Sequence, residues 1–177
     1  ELAQTRRILS EQNATMNQQR FESSFFNLLK AHRDLVVSTT AVFERSSSVP
    51  VSGPHAYGLA AQELSGLFHA RISPVPTADA FAAYAGTLFA GVCLKPHSDF
   101  GNYFRSLYHL VHFVEKAEVQ DKWPYLQLVR AQLSNGEQLL IFFYCLTPDG
   151  RGLKSYVERF HLLRGLREAP GVSDLRS

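Results

Sequence analysis

Residues 100–116 read FGNYFRSLYHLVHFVEK, and this segment indicates the fold class. Its apolar side chains recur at steps of three and four residues, which is the repeat of an α-helix with one buried face. The spacing predicts an amphipathic helix of about five turns. The residues of its predicted apolar face are Phe100, Tyr103, Phe104, Leu107, Leu110, Val111 and Val114.

The helical repeat continues toward the N-terminus. Residues 21–36 predict a core-facing helix, because their apolar side chains recur at steps of three and four residues. The residues of this predicted face are Phe21, Phe25, Leu28, Leu29, His32, Leu35 and Val36. Serine, proline and glycine at 46–54 predict a surface loop. The remaining predicted elements of this half are a helix at 57–68 that Pro74-Val75-Pro76 terminates and, after an N-cap at Thr77, an alanine-rich helix from Ala78 to about Val92.

The C-terminal part shows a further series of short helices. Trp123-Pro124 opens one, because proline is tolerated in a first turn. Ser134 and Glu137 have capping-box spacing, which favours a helix over a buried strand for the apolar run that follows. After a turn at 147–150, Leu153 to Leu163 predict a final amphipathic helix. The expected fold is all-α, a multi-helix globular bundle.

Residues 1–20 are polar, with a sparse apolar repeat. One apolar residue per heptad buries too little surface to hold a coiled coil alone, so we predict a helical stalk through which two copies could pair. A single helical domain at 21–167 and a frayed tail at 168–177 follow. The apolar heptad positions are Leu2, Leu9 and Met16, and the polar positions between them are Thr5, Gln12 and Gln19.

Composition narrows the class of protein. Of the 177 residues, 45% are hydrophobic, enough for one buried core. The 18 Lys and Arg against 16 Asp and Glu give no polycationic field, so nucleic-acid binding would need a local patch. Cys93 and Cys145 lie in apolar stretches, which is typical of buried free thiols in a reducing compartment. Glycine-rich phosphate loops, nucleophile elbows and metal-ligand spacings are absent, which predicts neither cofactor nor metal.

Two blocks of sequence, residues 102–110 and 125–134, resemble the family of putative phage abortive infection proteins (AbiC-like). Residues 137–163 and 21–29 are similar to it in order and spacing, whereas residues 41–91 are not. Several family members carry membrane helices ahead of the segment that corresponds to residues 21–29. The resemblance therefore implies a bacterial anti-phage role, a stalk that follows a membrane anchor, and a domain at the cytoplasmic face of the cell membrane.

The best candidate surface is a basic stripe on the 100–116 helix. Arg105, His109, His112 and Lys116 follow at steps of four, three and four residues and so share one face. The spacing of Arg105 and His112 is similar to the motif of HEPN-type ribonucleases, in which arginine stabilises phosphorane charge and histidine moves a proton. The interpretation we favour is structural, with Arg105 anchoring a carboxylate and His109 packed with one hydrogen bond.

Arg130 and Gln132 mark the junction ahead of the Ser134 capping box. Polar groups there could bind a ligand or satisfy the free amides and carbonyls of two helix ends. We favour the second role, with Gln132 as a hydrogen-bonding group and Arg130 in a buried ion pair.

Three functional hypotheses follow. The first is a sensing or interaction domain of an anti-phage protein that binds a protein partner or phage component. The second is a metal-independent endoribonuclease that uses Arg105 with His112 or His109 in a site completed across a dimer. The third is a helical module with no role in defence.

Overall fold

The computed structural model describes residues 1–43, 47–71, 77–95 and 98–166. These residues form helices and one small hairpin, so the predicted all-α class is confirmed. The elements are α1 (Leu2–Ser38), β1 (Thr40–Phe43), β2 (Ser47–Ser52), α2 (Pro54–Arg71), α3 (Ala78–Cys93), α4 (Phe100–Lys116), α5 (Trp123–Ala131), α6 (Asn135–Cys145) and α7 (Arg151–Phe160).

The predicted stalk and the predicted core-facing helix form one continuous helix, α1. Every side chain of residues 1–17 is exposed, and burial on this helix begins at Phe21. Thr39 ends the helix by donating its hydroxyl to the carbonyl of Leu35 over 2.8 Å. Among the helices in the described part of the chain, none combines the length and the apolar composition that crossing a bilayer requires.

The expected loop at 46–54 is wrong for its central part, because residues 47–52 form β2. This strand pairs antiparallel with β1, with Thr40 opposite Ser52. Gly53 follows it at φ +66°, a conformation that favours glycine. Strand β1 alternates half-buried and buried residues, and Phe43 is 1% exposed. Four alternating residues are too few for a sequence pattern to indicate a strand.

Helices α2 and α3 pack against each other, and both contact α6. The predicted N-cap of α3 is confirmed, since the hydroxyl of Thr77 accepts the amide of Ala80 over 3.2 Å. The prolines at 74 and 76 lie outside the described residues. Cys93, at the end of α3, and Cys145, at the end of α6, are both buried free thiols, as predicted.

All seven apolar positions predicted for α4 are buried. This face packs against α1, and the Phe104 ring stacks on Tyr144 at 4.2 Å between centroids. Helix α4 also contacts α5 and α7, and the part of its surface that carries Arg105, His109 and Lys116 is exposed to solvent.

Helix α6 is buried on most of its circumference, and its capping box forms as predicted. The last helix is shorter than predicted. It ends at Phe160, because His161 takes the left-handed conformation at φ 51°. Leu163 therefore lies in the turn after α7. The predicted tail at 168–177 lies outside the described residues.

Gly150 is the residue at which the turn after α6 passes closest to the helix itself. A Cβ atom at this position would overlap the backbone carbonyl oxygen of Tyr144 and approach Cys145 Cα to 2.8 Å. We expect Gly150→Ala to lower the free energy of unfolding by about 3 kcal/mol, because backbone atoms would have to move. Urea titration followed by circular dichroism measures this change.

Gly66→Ala is the control, since a Cβ there meets nothing within 4 Å and lies inside α2. It should be neutral or stabilising by about 0.5–1 kcal/mol. Equal stability of the two variants would contradict the close packing of this turn.

Candidate functional site

The structure keeps the four basic residues of α4 on one side, but their surroundings differ. Arg105, His109 and Lys116 are exposed, whereas His112 is half-buried. Within the described residues, neither Arg105 nor His109 forms a hydrogen bond or an ion pair, so the favoured expectation that Arg105 anchors a carboxylate and His109 is hydrogen-bonded is wrong. Lys116 Nζ lies 3.4 Å from Glu115 Oε2. Two adjacent groups on this stripe are thus free for an external ligand.

His112 belongs to the contact between α4 and α7. Its Nδ1 lies 2.6 Å from the Tyr156 hydroxyl, and its ring stacks on Tyr108 at 5.6 Å and 12°. The next contact along the two helices is an ion pair of 3.3 Å between Glu115 and Arg159. Both contacts join residues 44 positions apart, so the two helices run parallel in constant register. One nitrogen of His112 is therefore occupied by packing.

The junction between α5 and α6 differs from the predicted one. Arg130 forms no ion pair with any described residue, and its Nη1 is buried without a partner. The side chain of Gln132 is exposed, and its contacts are made by the backbone. Its carbonyl accepts a 3.0 Å hydrogen bond from Arg33, and its amide donates to the carbonyl of Val129 over 3.1 Å. The hydrogen-bonding role predicted for Gln132 is filled by Gln138, whose side-chain amide donates to the backbone carbonyl of Leu133 over 3.1 Å.

A partly buried ion pair does lie at this junction, but its cation is Arg33 of α1 and not Arg130. Its anion is Glu137. Arg33 Nη1 lies 3.3 Å from Glu137 Oε1, with the two side chains 30% and 1% exposed. The other oxygen of Glu137 accepts the hydroxyl of Ser134 over 2.6 Å and its amide over 3.0 Å. Glu137 is therefore both the capping residue of α6 and the anchor of α1. Sequence spacing predicted the first role and carried no signal for Arg33.

Buried polar side chains lie close to this pair. The Tyr57 hydroxyl donates to Thr39 over 3.0 Å, and His32 Nδ1 lies 3.1 Å from the Ser106 hydroxyl. Burial raises the pKa of Tyr57 and of Tyr103, and the negative charge of Glu137 raises both further. His32 Nε2 and the Tyr103 hydroxyl have no hydrogen-bond partner among the described residues. Since all of these side chains except Ser106 are almost fully buried, the cluster is a structural element closed to substrates.

Burial and the neighbouring Arg33 charge lower the pKa of His32 to about 4. His32 is 1% exposed and lies 5.0 Å from the Tyr103 ring, so it is neutral at pH 7. A buried neutral imidazole suits a packing role better than proton transfer at an exposed phosphodiester. Within the described residues, no group of three or more histidine, cysteine, aspartate or glutamate side chains is placed to hold a metal ion.

A groove of about 620 Å³ separates α3 from the turn after α6. Its floor is made of small residues of α3, among them Ala82, Gly86 and Ala90, and Arg151 and Lys154 lie at its rim. The described residues that line the groove include no histidine and no pair of carboxylates, which suits a packing or docking surface better than a reaction centre.

Residues 95–169 match the family model described as putative phage abortive infection protein. The resemblance predicted from the sequence is thereby confirmed over the segment that carries both blocks and the basic stripe. The match covers less than half of the chain and leaves out residues 21–29, for which the resemblance stays a prediction. No curated protein and no solved structure matched the chain.

The pair of Arg33 and Glu137 should contribute measurably to stability. We expect Arg33→Met to lower the free energy of unfolding by about 2 kcal/mol, because it leaves a buried carboxylate without its cation. Partial exposure of Arg33 keeps this below the cost of breaking a fully buried pair. Urea unfolding measures the change.

Lys30→Met is the matched control on the same helix, since Lys30 pairs with Asp34 where both side chains are largely exposed. It should cost less than about 0.5 kcal/mol. Glu137→Gln should recover part of the loss when combined with Arg33→Met. Strictly additive losses would show that the two side chains do not interact.

The lowered pKa of His32 predicts a pH-dependent stability. The unfolded chain binds a proton at this residue below pH 6.5, whereas the folded chain binds it only near pH 4. Stability should therefore fall as the pH drops through this window, by about 2 kcal/mol between pH 7 and pH 5. Urea unfolding at both pH values should show a smaller loss for His32→Asn than for wild type. His109→Asn, at an exposed site, should keep the wild-type loss, and an unchanged slope in His32→Asn would contradict the assignment.

Proposed function

We propose that this chain is the interaction domain of a bacterial abortive infection protein and that it acts by binding a protein partner or phage component. The observation that carries the proposal is the free pair on α4, Arg105 and His109, within the segment that matches the family. A partner that presents carboxylates or phosphates to this face fits the charge of the pair.

The distribution of polar groups favours binding over catalysis. His112 is held by Tyr156, His32 is buried and neutral, and Glu137 is enclosed with Arg33. Nucleophilic or general-base catalysis needs a reactive group oriented by a second one at hydrogen-bond distance. Within the described residues, no hydrogen bond orients His109, the one exposed histidine of the stripe.

A second candidate function is a metal-independent endoribonuclease. Arg105 and His109 lie one helical turn apart, about 6 Å along the axis, and both are open to solvent. An arginine and a histidine at that distance could contact one phosphodiester group, with Arg105 on the phosphoryl oxygens and His109 on a proton. The pair with His109 suits this role better than the pair with His112, which is engaged in packing.

The proposed location is the inner face of the bacterial cell membrane. The support is the family match together with two buried free thiols, which suit a reducing compartment. A membrane anchor ahead of the stalk is part of this proposal.

Arg105→Ala and His109→Ala should abolish protection in a phage plaque assay without loss of helicity, because both side chains are exposed and neither forms a hydrogen bond or an ion pair within the described residues. Purified wild type in EDTA should leave total RNA intact. Lys30→Ala, which removes an exposed cation on another helix, should protect as wild type does. Circular dichroism checks the fold of each variant.

Two results would overturn the proposal. Full protection by both variants would show that this face binds nothing needed for defence. RNA cleavage by wild type that disappears in both folded variants would establish the ribonuclease instead.

A further inference from the structure

An uncharged heptad seam runs along the outer face of α1. Its residues follow at alternating steps of three and four from Leu2 to Phe26, which is the spacing of a and d positions in a coiled coil. All of them are exposed. The a positions are Leu2, Leu9, Met16 and Ser23, and the d positions are Thr5, Gln12, Gln19 and Phe26.

The seam lies on the side of α1 that faces away from the body of the protein. At 100° per residue, the seam is nearly opposite the buried residues Phe21, Phe25, His32 and Val36. Over residues 2–17, where every side chain is exposed, a second helix can therefore approach the seam without meeting the described residues of the body. The side chain of Ile8, 48% exposed, flanks the seam and adds to its apolar area.

The seam has a defined end. The next a and d positions after Phe26 are Lys30 and Arg33, and Arg33 is engaged with Glu137. Residues 2–26 thus form about three and a half heptads, whose a and d positions hold four apolar and four uncharged polar residues. Phe26, 50% exposed, is an apolar d residue that extends the seam beyond the predicted stalk.

We propose that two copies of this chain pair through residues 2–26 as a parallel, in-register coiled coil. Three of the four a positions are apolar and three of the four d positions are polar. This separation supports a second copy of the chain as the partner and a parallel orientation of the two helices. Parallel pairing stacks a on a and d on d, so each glutamine meets the glutamine of the partner subunit and its amide can donate and accept. Antiparallel pairing would place Gln12 and Gln19 against leucine or methionine and leave their amides buried without partners.

The flanking charges agree with parallel pairing. Positions g and e of the first heptad are Glu1 and Arg6, so each Glu1 would face Arg6 of the partner subunit. The other g–e combinations along the seam contain no pair of like charges. Because only four of the eight layers contain an apolar residue, the dimer should be weak and dependent on concentration.

The test is the mass of the intact chain by light scattering from about 1 to about 200 µM, since dimerisation follows mass action. We expect the mass to rise from 19.9 kDa toward that of two chains. Leu9→Glu should keep the protein monomeric over this range, because it places two carboxylates in one layer. Ser10→Glu, the same charge on the adjacent exposed position outside the seam, should dimerise as wild type does.

Cysteine cross-linking tests the direction. Thr5→Cys and Gln19→Cys, made separately, should both give disulfide-linked dimers under mild oxidation, whereas Ser10→Cys should not. In an antiparallel pair, at most one of these two cysteines could lie opposite the same cysteine of the partner subunit. A monomer at every concentration, a dimer that persists in Leu9→Glu, or cross-linking at only one of the two seam positions would overturn the proposal.

Discussion

The buried carboxylate of Glu137 is the constraint on which the arrangement of the helices depends. A charge at 1% side-chain exposure is tolerated only with partners, and it has three: the Ser134 hydroxyl, the Ser134 amide and the Arg33 guanidinium. The first two fix the start of α6. The third ties α1 to the start of α6, and Arg33 strengthens this connection by donating to the carbonyl of Gln132. One side chain thereby joins the longest helix to the most buried one.

Polar side chains that are hydrogen-bonded or ion-paired between helices are not available to an external ligand. The polar side chains that make no such contact are the candidates for binding. On α4, Glu115 and His112 are taken by α7, and Ser106 is taken by His32. What remains for solvent is the face that carries Arg105 and His109. The uncharged seam on the outer face of α1 is also exposed, because the buried residues of this helix lie on its other side. A cationic surface on the body and an uncharged seam on the stalk give the chain two separate contact regions.

Much of the fold was predictable because helical repeats are local. The seven buried positions of α4, the capping box of α6 and the N-cap at Thr77 each depend on residues within one or two turns. The hairpin was missed because its pairing joins residues up to twelve positions apart and β1 has only four residues. The end of α7 was misplaced because the left-handed conformation of His161 leaves no mark in the apolar repeat.

The helix class, the apolar face of α4, the exposed stalk and the resemblance to the abortive infection family were all predictable from the sequence, because each depends on residues within a local segment. The partners of the polar groups became known only from the packing of the helices. Arg33 and not Arg130 pairs with Glu137, and His109 and not His112 stays free. Ion pairs between helices depend on the angle and register at which apolar faces meet, and no local repeat encodes either quantity.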